Sequence, residues 1–476
     1  METTQSFVGG ELLASRETYD NLDPATGRVL SRVARGGPEE VDLAVTTAAR
    51  AQREWARTTP EQRATLLGRW ADLVDRDAEA LALTECEDTG KPLSQARTDT
   101  AVCARYLRFY AHAIETYYGR TIPRGPGSFA YTVREPFGVV GSIVAWNYPL
   151  QLASRTLAAA VATGNAAVLK PADETPRTAV ALARLAVEAG LPPGVVNVVT
   201  GLGPEAGAAL AAHEGVAHLG FVGSTEVGSL IAHAAADRVV PTVLELGGKS
   251  AQVVFADADL DRAAAAVVTG VIQNAGQTCS AGSRLVVHRD VRDRLLEDLV
   301  RRFEQVRLGP GPEDPDLGPL ISPAQLERVR GYVDGNRQGT VLTGGRTPDD
   351  PRLRDGSFYL PTIVDGVDPT SPIAQEEVFG PVLVSMDFED EEEAVALANG
   401  TAYGLLGAVW TNDLGRAHRT AAALRAGQVF VNSYGAGGGV ELPFGGWGRS
   451  GYGREKGVEA LDALTQTKTV VVHLGG

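Results

Sequence analysis

The chain has few cysteines and no long apolar run. Three cysteines among 476 residues are too few for a disulfide framework, and no two are spaced like the ligands of a zinc site, so we expect no metal centre. An uninterrupted apolar run of about 18 residues, which a membrane-spanning helix needs, is missing, as is a basic N-terminal segment followed by an apolar core. These absences predict a cytoplasmic protein without a membrane partner.

Positive charge is also in short supply. The chain has 44 basic against 59 acidic residues, which gives a net charge of −15 and disfavours attraction to nucleic acid or to an anionic membrane. Hydrophobic residues make up 44%, and 55 glycines and 26 prolines are scattered along the chain, as in folded globular proteins. The length exceeds that of one hydrophobic core, which predicts several domains with a cleft between them.

The order of local patterns predicts a mixed α/β fold. From about residue 37, apolar residues recur at spacings of three and four, with a break near Pro60, which predicts helices. Residues 118–136 interrupt this pattern with strand-like flanks. Short β-branched runs such as GVVGSIVAW and GVVNVVTG then alternate with helical patterns, which predicts a parallel sheet with crossover helices. The acidic run 389–393 predicts a helix start, and KTVVVHL at 468–474 predicts the last strand.

One cysteine is a candidate nucleophile. Cys279 lies among small and polar residues in GQTCSAG, whereas Cys86 and Cys103 fall in the helical region and are predicted core residues. A thiol reacts as its thiolate, which needs N–H groups, a helix dipole or a nearby base. Glu245 in LELGGKS is either a general base or a surface carboxylate, and Asn147 in AWNYP either donates to an oxyanion or ties a turn.

Two glycine-containing turns are candidate phosphate sites. TGLGPEAG, with Gly201, Gly203 and Gly207, follows a strand pattern, but such turns are also common without a nucleotide. In FVGSTEVG, Ser224 and Thr225 either cap a helix or bind a phosphate, since both arrangements satisfy free N–H groups.

Seven motifs in order make the chain resemble the aldehyde dehydrogenase superfamily, whose members oxidise aldehydes to acids with NAD(P). The motifs are PFGVVGSIVAWNYPL, GNAAVLKPADETP, FVGSTEVG, LELGGKS, GQTCSAGSR, EEVFGPV and PFGGWGRSGYGRE. They run along nearly the whole chain, and 34 residues separate Glu245 from Cys279, as in the family.

The resemblance implies an α/β fold of three parts. A Rossmann-like NAD-binding domain would comprise residues 1–117 and 137–247, and the catalytic domain residues 248–450. Residues 118–136 and 463–476 would form a small β oligomerisation arm. Strand edges that extend from the body are covered by a partner subunit, so a homodimer or homotetramer is expected.

The resemblance also implies the mechanism. Cys279 would attack the aldehyde, with the oxyanion held by the Asn147 side chain and the Cys279 N–H. After hydride transfer to the nicotinamide, Glu245 would activate the water that hydrolyses the thioester. The cofactor would contact Trp146, Lys170, Asp173, Gly203, Gly223, Ser224, Leu246, Glu377 and Phe379. NAD is favoured over NADP because Asp173, where relatives have glutamate, keeps a negative charge that repels a 2′-phosphate.

The substrate side departs from the family pattern. Relatives have Trp-Lys where this chain has Arg155 and Thr156, so a proton relay from that lysine to the family's late glutamate, here Glu455, is in doubt. Arg155, assigned to the substrate together with Tyr148 and Phe444, suits an acidic semialdehyde or an aromatic aldehyde, or pairs with a local acid. The glycines of YGAGGGVE at 434–441, where relatives place tunnel residues, predict a roomy or mobile mouth.

Two alternatives stand beside this interpretation. A coenzyme A-acylating aldehyde dehydrogenase would transfer the acyl group to coenzyme A, but that branch commonly lacks the base assigned here to Glu245. A non-catalytic binding or structural member of the same fold would tend to lose the reactive residues, whereas Cys279, Glu245 and Asn147 are all present.

Overall fold

The computed structural model describes residues 3–435 and 438–474, and it confirms the mixed α/β class. Two large sheets dominate the fold, one built mainly before residue 250 and the other after it. Residues 436–437 of the glycine stretch and 475–476 of the predicted arm lie outside the described residues.

The first large sheet has eight strands. Their spatial order is Gly451–Tyr452, Thr242–Glu245, His218–Val222, Val139–Ile143, Ala166–Lys170, Val196–Val198, Ser6–Val8 and Glu11–Leu13. The five central strands are parallel, and the outer ones run antiparallel. If the five parallel strands are numbered 1 to 5 along the chain, they lie side by side in the order 5-4-1-2-3. The order therefore changes direction between Val139–Ile143, which is strand 1, and His218–Val222, which is strand 4. Ligands bind at such a switch point in open α/β sheets.

The second large sheet has seven strands. Their spatial order is Thr340–Thr343, Thr362–Asp365, Val382–Phe388, Arg284–His288, Ala251–Val254, Leu406–Trp410 and Gln428–Val431. All neighbours pair in parallel except Thr340–Thr343, which runs antiparallel at one edge. Both sheets therefore combine a parallel centre with an antiparallel edge.

The described residues also form three small sheets. The strand-like segment 118–136 forms Thr121–Ile122 and Ser128–Pro136, and the last strand, Thr465–His473, pairs antiparallel with the longer of these. Thr18–Leu22, Val29–Ala34 and Thr3–Thr4 form a second small sheet, and Tyr403–Gly404 pairs with Trp447–Gly448.

Helices cover both large sheets, and their starts follow the sequence signals. Thr59 accepts a hydrogen bond from Gln62 N–H ahead of Pro60, where one helix follows another, and Asp390 accepts from Glu393 N–H in the acidic run; these confirm the predicted break near Pro60 and the predicted helix start at 389–393. The α-helices are Pro38–Trp55, Pro60–Arg76, Ala78–Thr89, Leu93–Ile114, Pro149–Ala162, Arg177–Glu188, Ala208–Ala212, Thr225–Ala236, Leu260–Ile272, Arg289–Glu304, Pro323–Asp334, Pro372–Gln375, Glu391–Ala398, Leu414–Ala423 and Glu459–Ala463.

Alternating strand residues divide the core into layers. In Ala166–Lys170, Ala167 and Leu169 join one buried cluster, whereas Ala166 and Val168 join another on the opposite face. Burial on both faces explains why these strands read as continuous apolar runs. Among the described residues, none of the helices combines the length and the apolar composition that a bilayer crossing requires.

Candidate active site

A cavity of about 280 Å³ lies at the switch point of the eight-stranded sheet. The carboxyl ends of three parallel strands supply its first wall, with residues 145–148, 222–224 and 245–247. The loop before Arg284–His288 and the segment before Val382–Phe388 supply the other wall, so both large sheets contribute.

Twelve of the residues predicted for the site line this one cavity. They are Trp146, Asn147, Tyr148, Arg155, Gly223, Ser224, Glu245, Leu246, Cys279, Glu377, Phe379 and Phe444. The fold therefore brings the candidate nucleophile, base and oxyanion donor to one space, although they are far apart along the chain.

The loop that carries Cys279 has an unusual backbone. Asn274, Ala275 and Gly276 have φ values of 48°, 54° and 72°, all in the left-handed region. A Cβ on Gly276 would lie 2.1 Å from the Gly380 carbonyl oxygen, so no larger residue fits there. Non-glycine residues held in this region cost free energy, and such strain clusters at functional sites.

The surroundings of Cys279 favour the protonated thiol over the thiolate. Burial raises the pKa of the thiol to about 12; the positive charge of Arg155 opposes the shift, and the negative charge of Glu245 adds to it. At neutral pH the thiol is therefore protonated, and its activation needs a base or a stronger positive field.

Asn147 is held firmly in place. Its side-chain amide donates to the Gln277 carbonyl at 3.0 Å, and its own carbonyl accepts from Lys91 Nζ at 3.0 Å and from Asn274 Nδ2 at 2.9 Å. Because a carboxamide has two N–H donors, one is left for a group inside the cavity.

A buried charge network supports Asn147 from behind, and sequence reasoning missed it. The Lys91 ammonium lies between Glu85, at 3.1 Å, and the Asp99 carboxylate. The other Glu85 oxygen accepts from the Leu150 N–H at 3.1 Å, at the start of the helix that follows Asn147. No motif marked these residues, because Glu85 and Asp99 lie in helices whose periodicity predicts only packing, and Lys91 lies in the short loop between those helices.

Glu245 ends its strand inside the cavity wall. It is 3% exposed, and neither carboxylate oxygen has a hydrogen-bond partner among the described residues. Burial, reinforced by the negative charge of Glu455 and opposed by Arg155, raises its pKa well above the usual range. A carboxyl group that is buried without partners suits a base that exchanges protons.

Arg155 pairs with a local acid, one of the three roles that the sequence left open. Its guanidinium forms a buried ion pair with Glu455, and it lies 5.5 Å from the centroid of the Phe444 ring. The adjacent Thr156 is buried as well, and its hydroxyl has no hydrogen-bond partner among the described residues. Tyr148 lies under the Lys91 ammonium, 4.4 Å from its ring centroid.

Glu377 and Phe379 enter from the second sheet. The Glu377 carboxylate accepts from the Gly248 N–H at 2.8 Å, and the Phe379 ring meets Trp146 edge to face at 5.2 Å. A Cβ on Gly247 would lie 2.4 Å from the Glu377 carboxylate and one on Gly248 would lie 2.4 Å from the Cys279 carbonyl oxygen, which together explain the double glycine of LELGGKS. Two further lining residues, Gln325 and Arg328, bind the backbone carbonyls of this segment.

Lys170, Asp173 and Gly203 form a separate cluster outside the cavity. The Asp173 carboxylate forms an ion pair with Lys170 and accepts from the Gly203 N–H at 3.2 Å. The turn that holds Gly203 is a π-helical turn, Gly203–Gly207. Lys170 ends the strand next to Val139–Ile143, so the cluster lies at the same sheet edge as the cavity.

Ser224 adopts the capping role, one of its two predicted alternatives. It accepts from the Val227 N–H at 3.2 Å and so begins the helix Thr225–Ala236. That helix N-terminus follows the strand His218–Val222 and borders the cavity through Gly223.

Lys456 is a cavity residue that sequence reasoning missed. It is 5% exposed, its ammonium lies 4.8 Å from the Phe444 ring centroid, and its φ of 61° is left-handed. The one feature of the sequence that could have indicated Lys456 as a site residue is its position directly after Glu455.

Comparisons with known proteins agree with this geometry. Residues 13–470 match the Aldehyde dehydrogenase family. A Burkholderia cenocepacia protein assigned to the aldehyde dehydrogenases is 47% identical, with 99% of this chain and 100% of that chain covered and a TM-score of 0.97. Betaine aldehyde dehydrogenase from Staphylococcus aureus, solved with NAD+, is 36% identical over 99% and 95% of the two chains, with a TM-score of 0.97. PnpE from Pseudomonas sp. WBC-3 is 38% identical over 100% and 98%, also at 0.97.

Proposed function

Because the chain belongs to the aldehyde dehydrogenase family and oxidises aldehydes with NAD, we propose that Cys279 is its nucleophile, Asn147 its oxyanion donor and Glu245 its hydrolytic base. The observation that carries this assignment is the single cavity that all three residues line. The family relationship supplies the reaction, and the cavity supports the roles.

In the first half of the reaction, the Cys279 thiol gives its proton to the Glu245 carboxylate, which passes it to solvent water, and the sulfur bonds to the aldehyde carbon. The carbonyl oxygen becomes an oxyanion, and the free N–H of the Asn147 amide donates to it. The Gln277 carbonyl holds this side-chain amide and the Lys91 ammonium holds the Asn147 backbone carbonyl, so little reorganisation is needed as charge develops. NAD held in the cavity would accept a hydride from the bound substrate, which would leave a thioester on Cys279.

In the second half, Glu245 takes a proton from water while the water oxygen attacks the thioester carbon. The carbon–sulfur bond breaks, and the carboxylic acid leaves. The buried, unpartnered carboxyl of Glu245 supports this role over that of a structural ion pair. Its presence also favours hydrolysis over transfer to coenzyme A.

The residues around the cavity fit a dinucleotide. The helix N-terminus after Ser224 borders the cavity and offers backbone N–H groups to a pyrophosphate. The edge-to-face pair of Trp146 and Phe379 forms an aromatic wall, with Leu246 beside it and the Glu377 carboxylate nearby for a nicotinamide ribose. Bound NAD supplies the hydride acceptor, and these residues orient it.

The Lys170–Asp173 cluster, with Gly203, is proposed to hold the adenosine ribose. The Asp173 carboxylate disfavours a 2′-phosphate, so the chain should prefer NAD to NADP. Asp173→Ser should lower the ratio of kcat/KM with NAD to that with NADP. An unchanged ratio would remove Asp173 from cofactor selection.

The eight-stranded sheet is proposed as the core of the NAD-binding domain, residues 1–117 and 137–247, and the seven-stranded sheet as that of the catalytic domain, residues 248–450. Thr465–His473 is an edge strand within the described residues, and its exposed Val471 and Val472, with Phe129 on the paired strand, support burial by a second copy. We expect a homodimer or homotetramer. Val471→Lys would place a charge in the proposed interface and should weaken the association, which analytical ultracentrifugation would detect as a smaller sedimentation coefficient.

The substrate is proposed to be an acidic semialdehyde or an aromatic aldehyde. Two cations, Arg155 and Lys456, lie over the Phe444 ring, so this part of the cavity offers positive charge and an aromatic face together. Tyr148 adds a second ring to the lining.

One assay tests the assignment. Purified protein with NAD and matched acidic, aromatic and aliphatic aldehydes should form NADH without coenzyme A, and Cys279→Ala should abolish NADH formation. Cys103→Ala is the matched control, because that buried thiol lies in a helix away from the cavity lining. Full activity of Cys279→Ala, or dependence on coenzyme A, would overturn the assignment.

A further inference from the structure

Cys279 occupies a corner of a tight turn. The Ala281 N–H donates to the Thr278 carbonyl at 3.0 Å, and the Thr278 and Ser280 hydroxyls lie 3.0 Å apart. A Cβ on Gly248 would lie 2.4 Å from the Cys279 carbonyl oxygen, so this carbonyl packs directly against the glycine backbone. The directions of the Cys279 side chain and N–H therefore depend on how firmly the peptide groups of this turn are held.

The turn is anchored on both sides of the nucleophile. On the upstream side, the Gln277 carbonyl accepts from the Asn147 side-chain amide at 3.0 Å and from that of Asn274 at 3.2 Å. On the downstream side, the Ser280 carbonyl accepts from the Tyr434 hydroxyl at 2.5 Å, across 154 positions of the chain. The left-handed backbone that precedes the turn makes such anchors necessary, because strained conformations persist only where the surroundings hold them.

Tyr434 itself comes from a firm support, the seven-stranded sheet. It follows the edge strand Gln428–Val431, and Asn432 between them has a left-handed φ of 50°. The Asn432 side chain donates to the Thr411 carbonyl at 2.9 Å and accepts from the Thr411 N–H at 3.0 Å. These two bonds tie the segment before Tyr434 to the neighbouring strand, so the position of the phenol is fixed from behind.

Packing explains the Tyr434 ring but not its hydroxyl. The ring belongs to an apolar cluster that also contains Cys279, Leu405, Leu406, Phe430 and Phe444. A Cβ on Gly270, inside the helix Leu260–Ile272, would lie 3.1 Å from the ring, so this helix carries a disfavoured glycine where the ring needs room. A phenylalanine would fill the same space. The hydroxyl is accounted for by its bond to the Ser280 carbonyl.

The Tyr434 hydroxyl remains a donor during the reaction. Burial raises the pKa of this phenol, and the negative charge of the Cys279 thiolate raises it further. The phenol therefore keeps its proton when charge forms on the neighbouring sulfur, and the Ser280 carbonyl keeps its partner.

We propose that Tyr434 is a positioning residue for Cys279, a role that rests on the proposed function of Cys279. Its hydroxyl holds the Ser280 carbonyl and, through the turn, aims the Cys279 thiol at the aldehyde carbon and the Cys279 N–H at the developing oxyanion. Such aim matters because a displacement of about 1 Å at a reacting group can cost about 10²-fold in rate. Ser280 lines the cavity, and Tyr434 acts on the reaction through it.

Tyr434→Phe tests the proposal, because it removes only the hydroxyl. The rate of the first-turnover NADH burst should fall about tenfold, whereas the aldehyde and NAD concentrations that give half the maximal burst rate should stay within about twofold. Alkylation of Cys279 by iodoacetamide, followed by mass spectrometry of its peptide, needs no oxyanion donor and should keep the wild-type rate and pH dependence. Tyr359→Phe removes another buried hydroxyl from the core of the second sheet and should change neither rate.

The outcomes separate positioning from other roles. An unchanged burst rate in Tyr434→Phe would overturn the proposal. Faster alkylation would show that the hydroxyl only keeps the loop folded, and slower alkylation would show that it tunes the reactivity of the thiol; either result overturns positioning. NADH formation by Cys279→Ala would instead refute the proposed function of Cys279, whatever the Tyr434 variant does.

Discussion

Two buried glutamates, Glu85 and Glu245, show how one residue type serves two purposes in this molecule. Glu85 accepts from Lys91 at 3.1 Å and from the Leu150 N–H at 3.1 Å, so both of its oxygens have partners. Glu245 is buried to a similar degree, and neither of its oxygens has a hydrogen-bond partner among the described residues. Burial raises the pKa of both carboxyl groups, to about 7 for Glu85.

The difference lies in what each environment holds fixed. The partners of Glu85 fix the position of Lys91, which in turn holds the Asn147 carbonyl. Glu245 lacks such partners, and its carboxyl is therefore available to water and substrate. A buried charge with a complete set of hydrogen bonds positions its neighbours, whereas one without them can exchange protons.

The largest expected effect comes from Glu245→Gln. The amide keeps the size of the side chain but cannot accept the proton of the attacking water, so kcat should fall by about 10²- to 10⁴-fold. The size of the first-turnover burst of NADH and the free energy of unfolding should stay close to wild type, because the variant breaks no hydrogen bond of the fold. Unchanged steady-state turnover would show that Glu245, like Glu85, does not exchange protons during the reaction.

Lys91→Met should lower the stability of the fold, which Glu245→Gln should leave nearly unchanged. It leaves Glu85 and Asp99 buried without their cation, so the free energy of unfolding should fall by about 3–5 kcal/mol, measured by urea denaturation. The Asn147 backbone carbonyl would lose one of its two hydrogen-bond donors, so Asn147 would be held less firmly and the burst rate should fall as well. A variant as stable as wild type would show that the network positions nothing.

The pH dependence of turnover sharpens the comparison further. Glu245 acts in its deprotonated form, and its pKa is raised, so the rate of hydrolysis should fall by about tenfold per pH unit below that pKa and level off above it. The acidic limb should appear in kcat well above the usual range of a glutamate and should vanish in Glu245→Gln. An acidic limb that survives in this variant would belong to another group.

The smallest effect is expected at the surface. Lys468 forms an exposed ion pair with Glu135, and Lys468→Met should change the free energy of unfolding by less than about 1 kcal/mol. If Lys468→Met lowered the free energy of unfolding as much as Lys91→Met does, the exposed and the buried ion pair would contribute equally to stability.

The sequence predicted the parts of the site that short motifs mark. Cys279, Glu245 and Asn147 each lie in a recognisable stretch, and the alternation of strands and helices predicted the sheet that gathers them. Lys91 and Lys456 were missed, because their importance arises from contacts between distant segments that no local pattern records. The partner of Arg155 was left open for the same reason, since Glu455 lies 300 residues further along the chain.

The distribution of lysines also bears on chemical labelling. Lys468 is the one lysine whose side chain is largely exposed, at 57%, while the other four are buried. In a single subunit, an amine-reactive dye would therefore modify this side chain before any other lysine, whereas in the proposed oligomer a second copy would shield the strand Thr465–His473 that carries it. The rate at which Lys468 is labelled therefore reports whether a second copy covers that strand.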